Sequence, residues 1–177
     1  MNLKGKCLIA RPNLTDPMFK KSVVYIYEHS SRGTAGLVLS KKHHSLNSIN
    51  LCSGRGFATD SVPAEPVWIG GPVSQKSVLM LHSTDWSSTN SIEITDSTSI
   101  TSDDMMFFKY TTGNTPFYYK FFVGHSVWHP QQIRAEIQRN NWLITELDTE
   151  TIFENDGRHL WDIAIENAAQ ETMDKFI

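Results

Sequence analysis

Apolar positions in this chain fall mostly in short runs, many of them alternating with polar residues at a period of two. Residues 22–29, SVVYIYEH, are rich in β-branched and aromatic side chains and predict a strand. A shorter apolar strand, residues 6–10, precedes it. The stretch NLTDPMF lies between them and reads as a turn started by Asp16–Pro17. The turn SSRG and the strand TAGLVLS follow, so residues 22–40 predict a hairpin. Further strands are expected at residues 66–69, 77–83, 91–95, 117–124 and 151–154. The polar stretch 41–65 reads as a long surface loop that holds at most one short helix.

Helical spacing appears in three places. Residues 101–113 open with Thr101 and Ser102 as capping candidates and carry Asp103 and Asp104 in the first turn. Residues 129–142 place Pro130 at a first helical position, with Ile133 and Ile137 one turn apart. Near the C-terminus Leu160, Trp161, Ala164, Ile165 and Ala168 share one helical face. Strands outnumber helices and do not alternate with them regularly. The pattern predicts an α+β fold with a mostly antiparallel sheet and about three helices, in one domain spanning residues 1–177.

The charge balance narrows the partners. A formal net charge of −3 gives no general attraction to nucleic acid or anionic membrane. No window approaches the roughly 20 apolar residues of a membrane span, and no targeting segment is visible. The two cysteines, Cys7 and Cys52, belong to no metal-type cluster. These features predict a cytoplasmic protein with no membrane partner, and no cofactor is called for.

The pair Glu28–His29 ends the strand 22–29 and raises the question of catalysis. On a continuous strand Val23, Tyr25, Tyr27 and His29 share one face, and Val24, Ile26 and Glu28 the other. Neighbours point apart, so each needs a partner from elsewhere. A structural strand end ranks ahead of a ligand contact, and a catalytic dyad comes last. GHSVW, residues 124–128, has the opening of a nucleophile elbow but lacks its closing glycine. His125 and His129 have a metal-ligand spacing only on a helix, and Pro130 starts the helix after both. IGGP, residues 69–72, reads first as a tight turn and second as a close backbone approach. Gln132, Glu136 and Asn140 form a polar stripe beside Ile133 and Ile137.

These blocks together resemble a known family. LIARPNLTDPMFKKSVVYIYEHSSRGTAGLVL, residues 8–39, is similar to the opening block of the YqgE/AlgH family of bacterial proteins. WIGGPV (68–73), LMLHS (79–83) and GHSVWHPQQIRAEIQRNNWL (124–143) resemble its later blocks in order. The chain departs from the family pattern at Ser40–Lys41–Lys42, His125, Ser126, Gln131 and Arg134. The resemblance implies a bent, partly barrel-like, mostly antiparallel sheet flanked by helices, and no established enzymatic activity. The family's patterned residues fall here on Asp16, Glu28, His29, Gly70, Gly71, His82, Trp128, Gln132 and Glu136, a candidate ligand-binding groove.

Two classes of function compete. One is a non-enzymatic binding or regulatory module with a possible transcription-linked role. Its ligand would be a protein, met through residues 41–65 for instance, or a nucleotide or nucleic acid segment. The other is a small hydrolase or transferase with His29 or His82 as base and Glu28, Asp16 or Glu136 beside it. A nucleic-acid module would show a basic face around Lys20, Lys21, Lys41, Lys42 and Arg55.

Overall fold

The computed structural model describes residues 1–176. The chain forms β1 (Cys7–Ala10), β2 (Val23–Ser30), β3 (Gly33–Val38), β4 (Lys42–Asn47) and α1 (Ser48–Ser53). It continues through β5 (Pro66–Ile69), β6 (Val73–Ser83), β7 (Ile92–Glu93), β8 (Thr98–Thr101) and α2 (Met105–Thr111). β9 (Tyr119–Trp128), α3 (Pro130–Gln138), β10 (Trp142–Thr145), α4 (Thr149–Glu154) and α5 (Gly157–Asp174) complete it. The fold is α+β: a curled, half-barrel sheet, antiparallel except where β5 runs parallel to β9, with helices around it. The main strand path is β10-β1-β2-β3-β9-β6-β8-β7, and β5 joins β4 to β9.

The β2–β3 hairpin forms as the pattern predicts, with Ser30 opposite Gly33. β2 is central and covered on both faces. Val23 and Tyr25 enter one core with Leu37, Phe122, Leu160 and Trp161. Val24 and Ile26 enter another with Trp128, Ile133 and Trp142, which α3 covers. A third core lies between β5, β6, β9 and helices α1 and α2, around Met80, Phe107 and Phe121.

Several elements differ from the sequence reading. Residues 151–154 lie in a helix, not a strand, because the Asp148 side chain accepts the Thr151 N–H at 2.7 Å and nucleates a turn. Five helices result, rather than about three, the added ones being the short α1 and α4. The loop 41–65 contains β4, a polar edge strand made by pairing with β5 rather than by its own pattern. α1 follows at once, closed by a reciprocal capping box between Asn47 and Asn50. β8 and β10 are strands that the pattern did not show. Thr101, read as a helix cap, lies in β8. Asp103 instead accepts the Met106 N–H at 2.9 Å at the start of α2. Among the described residues no helix is long and apolar enough to cross a membrane.

Candidate functional site

Three local departures from regular strand geometry meet at one place. In β2, Ile26 pairs with Gly36 and Glu28 with Ala35, so Tyr27 is an extra residue without a partner on β3. Strict alternation therefore ends at Tyr27. In β6, Val73 pairs with His125 and Val78 with Val123, so residues 74–77 loop out opposite Gly124. Ser74 within that excursion has φ 49°. In β9, Gly124 itself has φ 72°. A Cβ there would lie 2.4 Å from the Gly71 carbonyl oxygen and 3.4 Å from Gln75 Cα. Backbone irregularities of this kind concentrate at binding and catalytic sites, because regular pairing alone would not hold them.

The side chains delivered there line a cleft of about 390 Å³. Tyr27 and His125 form one wall, and the Tyr27 hydroxyl meets His125 Nδ1 at 2.5 Å. Burial pushes the Tyr27 phenol up to about 12, with the Glu28 carboxylate adding to the effect. Burial also lowers the His125 imidazole, against a smaller opposing effect of Glu28. At neutral pH both groups are therefore uncharged, and the tautomer in which the phenol donates to Nδ1 leaves the ring proton on Nε2. Arg55 and Lys76 supply positive charge, and Asp104 contributes one carboxylate. The Arg55 guanidinium lies 4.8 Å over the Phe107 ring and donates to the Lys76 carbonyl at 3.5 Å. A smaller cavity, about 220 Å³, shares Tyr27 and His125 and opens toward Glu28 and Arg32.

The nine residues of the expected groove lie in separate places. Glu28 is at the edge of the Tyr27–His125 pair. Gly70 and Gly71 pack against β9 nearby: a Cβ on either would come within 2.3 Å of backbone at Gly124 or His125. The close-approach reading of IGGP is thus the one observed. Trp128 packs tilted against Phe19 and edge-on against Trp142, at ring distances of 5.6 and 6.2 Å. Asp16 shapes the turn that delivers Phe19, accepting the Met18 N–H at 2.8 Å. Glu136 sits near this group through the Asn141 N–H to Glu136 carbonyl bond. Its Oε2 is buried without a hydrogen-bond partner, as are Arg11 Nε and Trp142 Nε1.

His29 lies on the other flank of α3. It borders an apolar cavity of about 600 Å³ with Ile133, Arg134 and Ile137. Gln132 and Glu136 are spaced one turn apart on the opposite side of the Ile133–Ile137 stripe. His29 Nδ1 meets the Thr34 hydroxyl at 2.8 Å and Nε2 meets the Met1 carbonyl at 3.1 Å. His82 is fully buried on β6 against Trp86. Its nitrogens meet the Ser83 carbonyl at 2.8 Å and the Thr101 hydroxyl at 2.7 Å. Ser126 is buried in a continuous β9, and its hydroxyl donates to the Gly70 carbonyl at 3.0 Å. Among the described residues no group of three or more His, Cys, Asp or Glu could hold a metal.

Tyr27 and Lys76 were not singled out by sequence reasoning. Tyr27 looks like one more apolar strand position until the extra residue in β2 is known. The available signal was SQKS, residues 74–77, a polar run between GGPV and VLML that interrupts an otherwise plain strand.

Comparison with known proteins bears on the family and the fold. A family model described as AlgH-like (DUF179) matches residues 7–172. A UPF0301 protein of Aliivibrio salmonicida is 34% identical over 171 residues, covering 94% of this chain and 91% of that protein. A UPF0301 protein of Proteus mirabilis is also 34% identical, with the same coverage of each chain. The solution structure of the AlgH protein from Pseudomonas aeruginosa superposes with a TM-score of 0.81 at 24% identity, covering 94% of this chain and 89% of that one. A crystal structure of a Corynebacterium diphtheriae protein gives a TM-score of 0.69 at 21% identity, covering 92% and 86%.

Proposed function

Since the chain belongs to the AlgH-like family, we propose that it is a non-enzymatic binding module with a regulatory role, and that its ligand enters the Tyr27–His125 cleft. The observation that carries this is the meeting of three irregular strand segments on one polar cleft. Backbone irregularity of this kind clusters at binding and catalytic sites. The cleft is rich in donors. Its histidine is engaged at Nδ1 by a phenol, not by a carboxylate that would raise its basicity. The competing hydrolase or transferase needs His29 or His82 as a base beside a carboxylate. Both rings have both nitrogens engaged by hydroxyls and carbonyls instead.

A transcription-linked role would then run through a partner of the liganded protein. α3 mixes Arg134 with Glu136 and lacks the basic face of a recognition helix. The test is to incubate the purified chain with a pool of small metabolites and follow its amide spectrum. Bound compounds should shift residues 27, 74–77 and 125 and be recovered chemically unchanged. Turnover of a bound compound would overturn the reading in favour of the enzyme.

A further inference from the structure

The cleft's chemistry narrows the class of ligand, on the premise that it is a binding site. Its charged groups are two cations and one acid, and its hydroxyls can donate to an anion. The Arg55 guanidinium offers five N–H bonds and the Lys76 ammonium three. Ser74 and Ser77 lie on the β6 excursion and add hydroxyls. In the tautomer where Nδ1 accepts from Tyr27, the His125 ring presents a donor, Nε2–H, to the cleft. Among the described residues no carboxylate hydrogen-bonds Arg55 or Lys76; the one bond of Arg55 goes to the Lys76 carbonyl. Two cations thus face one acid, Asp104, with Glu28 beyond the Tyr27–His125 wall.

We propose that this cleft binds a phosphate monoester of a small organic molecule. Arg55 and Lys76 offset its charge, and Ser74, Ser77 and His125 Nε2–H donate to its oxygens. A phosphate group accepts several hydrogen bonds at once and forms its strongest ones with guanidinium. Arg55 stacked over Phe107 is already held beside the cleft, so less rotamer freedom is lost when it binds. A volume of about 390 Å³ falls in the range of roughly 300–1,000 Å³ typical of small-ligand sites. A long nucleic acid is disfavoured because the cleft lining supplies only two cations, Arg55 and Lys76.

The experiment is an amide-spectrum titration of the full chain with four probes: AMP, inorganic phosphate, adenosine and a set of uncharged fragments. AMP and phosphate should shift residues 74–77 and 125, with the response weakening as salt is raised, and adenosine should not. Lys76→Ala and Arg55→Gln should each weaken AMP binding about tenfold or more, as expected when a charge-assisted bond is lost. Lys76 is exposed, so its variant keeps the fold even if removing the Arg55–Phe107 stack disturbs it. If AMP and phosphate move nothing up to about 10 mM, beyond weak millimolar affinity, while uncharged fragments move these amides, the phosphate assignment fails and the binding reading stands. If AMP binds undiminished to both variants, the assignment also fails. If no probe of any class moves these amides, both readings fall.

Discussion

Lys120 lies in β9 with its side chain 6% exposed, an unusual place for an ammonium group. Nζ donates to the Ile152 and Asn155 carbonyls, each at 2.8 Å, and sits 4.7 Å over the Trp68 ring. It thereby ties the end of α4 to the sheet. Burial lowers its pKa from 10.5 to about 8, with Asp156 opposing. Below about 8 both folded and unfolded chains carry the charge, and the full cost of burying it is present. Between about 8 and the ordinary lysine value the unfolded chain binds the extra proton, so stability rises with pH. Across that window Lys120 should gain on the order of 3 kcal/mol. Cys7 and Tyr25, which burial pushes up to about 12, act the other way at high pH, so the comparison is made against Lys120→Met, which retains both. Urea midpoints of the two proteins near pH 7 and near pH 10 should differ by an amount that moves in favour of the wild type. A difference that stays flat would mean the ammonium is better solvated than its burial implies.

At the scale of elements, the sequence is most legible where local chemistry and tertiary pairing agree. Pro130 and the Ile133–Ile137 spacing mark α3, and the β-branched run of β2 with its four-residue turn marks the hairpin. Legibility fails where pairing alone makes the element. β4 reads KHHSLN and has no strand pattern. It is extended because β5 lies beside it. β8 reads TSIT with all four residues buried, and its polar side chains are satisfied from afar: Thr98 by Tyr25 at 2.6 Å, Thr101 by His82 at 2.7 Å. The candidate site shares this difficulty. The resemblance pointed to Glu28, Gly70 and Gly71, which lie in or beside it. The extra residue at Tyr27 exists only in the register of β2 against β3. Glycines show the same split between local and tertiary causes. Gly113 has φ 84° with open space around it, so Gly113→Ala should cost only the left-handed penalty of about 1–2 kcal/mol. Gly71 has φ 156°, and a Cβ would fall 2.3 Å from the His125 carbonyl carbon and oxygen. Gly71→Ala must displace β9 itself, and should cost about 4 kcal/mol or more, in the tail of single-substitution effects. Thermal unfolding of both variants checks this, and equal losses would show that the Gly71 contact relaxes.

At the scale of the whole molecule, the sheet is completed by segments far apart in sequence. β1 pairs with β10, Cys7 opposite Thr145 and Ala10 opposite Trp142. α5 then fixes this pairing from one side: Leu160, Trp161 and Ala164 join the core that holds Cys7, Ile9 and Tyr25. The Trp161 indole N–H donates to the Ala10 carbonyl at 2.8 Å, bridging the two ends of the fold inside the protein. Removing that ring deletes a large apolar surface and leaves a buried carbonyl without its donor. Large-to-small changes of this kind cost about 3–5 kcal/mol, and the stranded carbonyl adds about 1–3 kcal/mol. A domain of ordinary stability holds about 5–15 kcal/mol in total. Trp161→Ala should therefore remove a large share of the chain's stability, whereas Trp161→Phe retains most of the apolar contact and should lose markedly less. Hydrogen exchange separates the two consequences. If α5 locks the closure, amides of β1 and β10 should lose protection in Trp161→Ala before those of β6 and β9, which lie in the middle of the sheet. Uniform loss across all strands would mean the sheet unfolds as one cooperative unit, with α5 contributing area and no local lock.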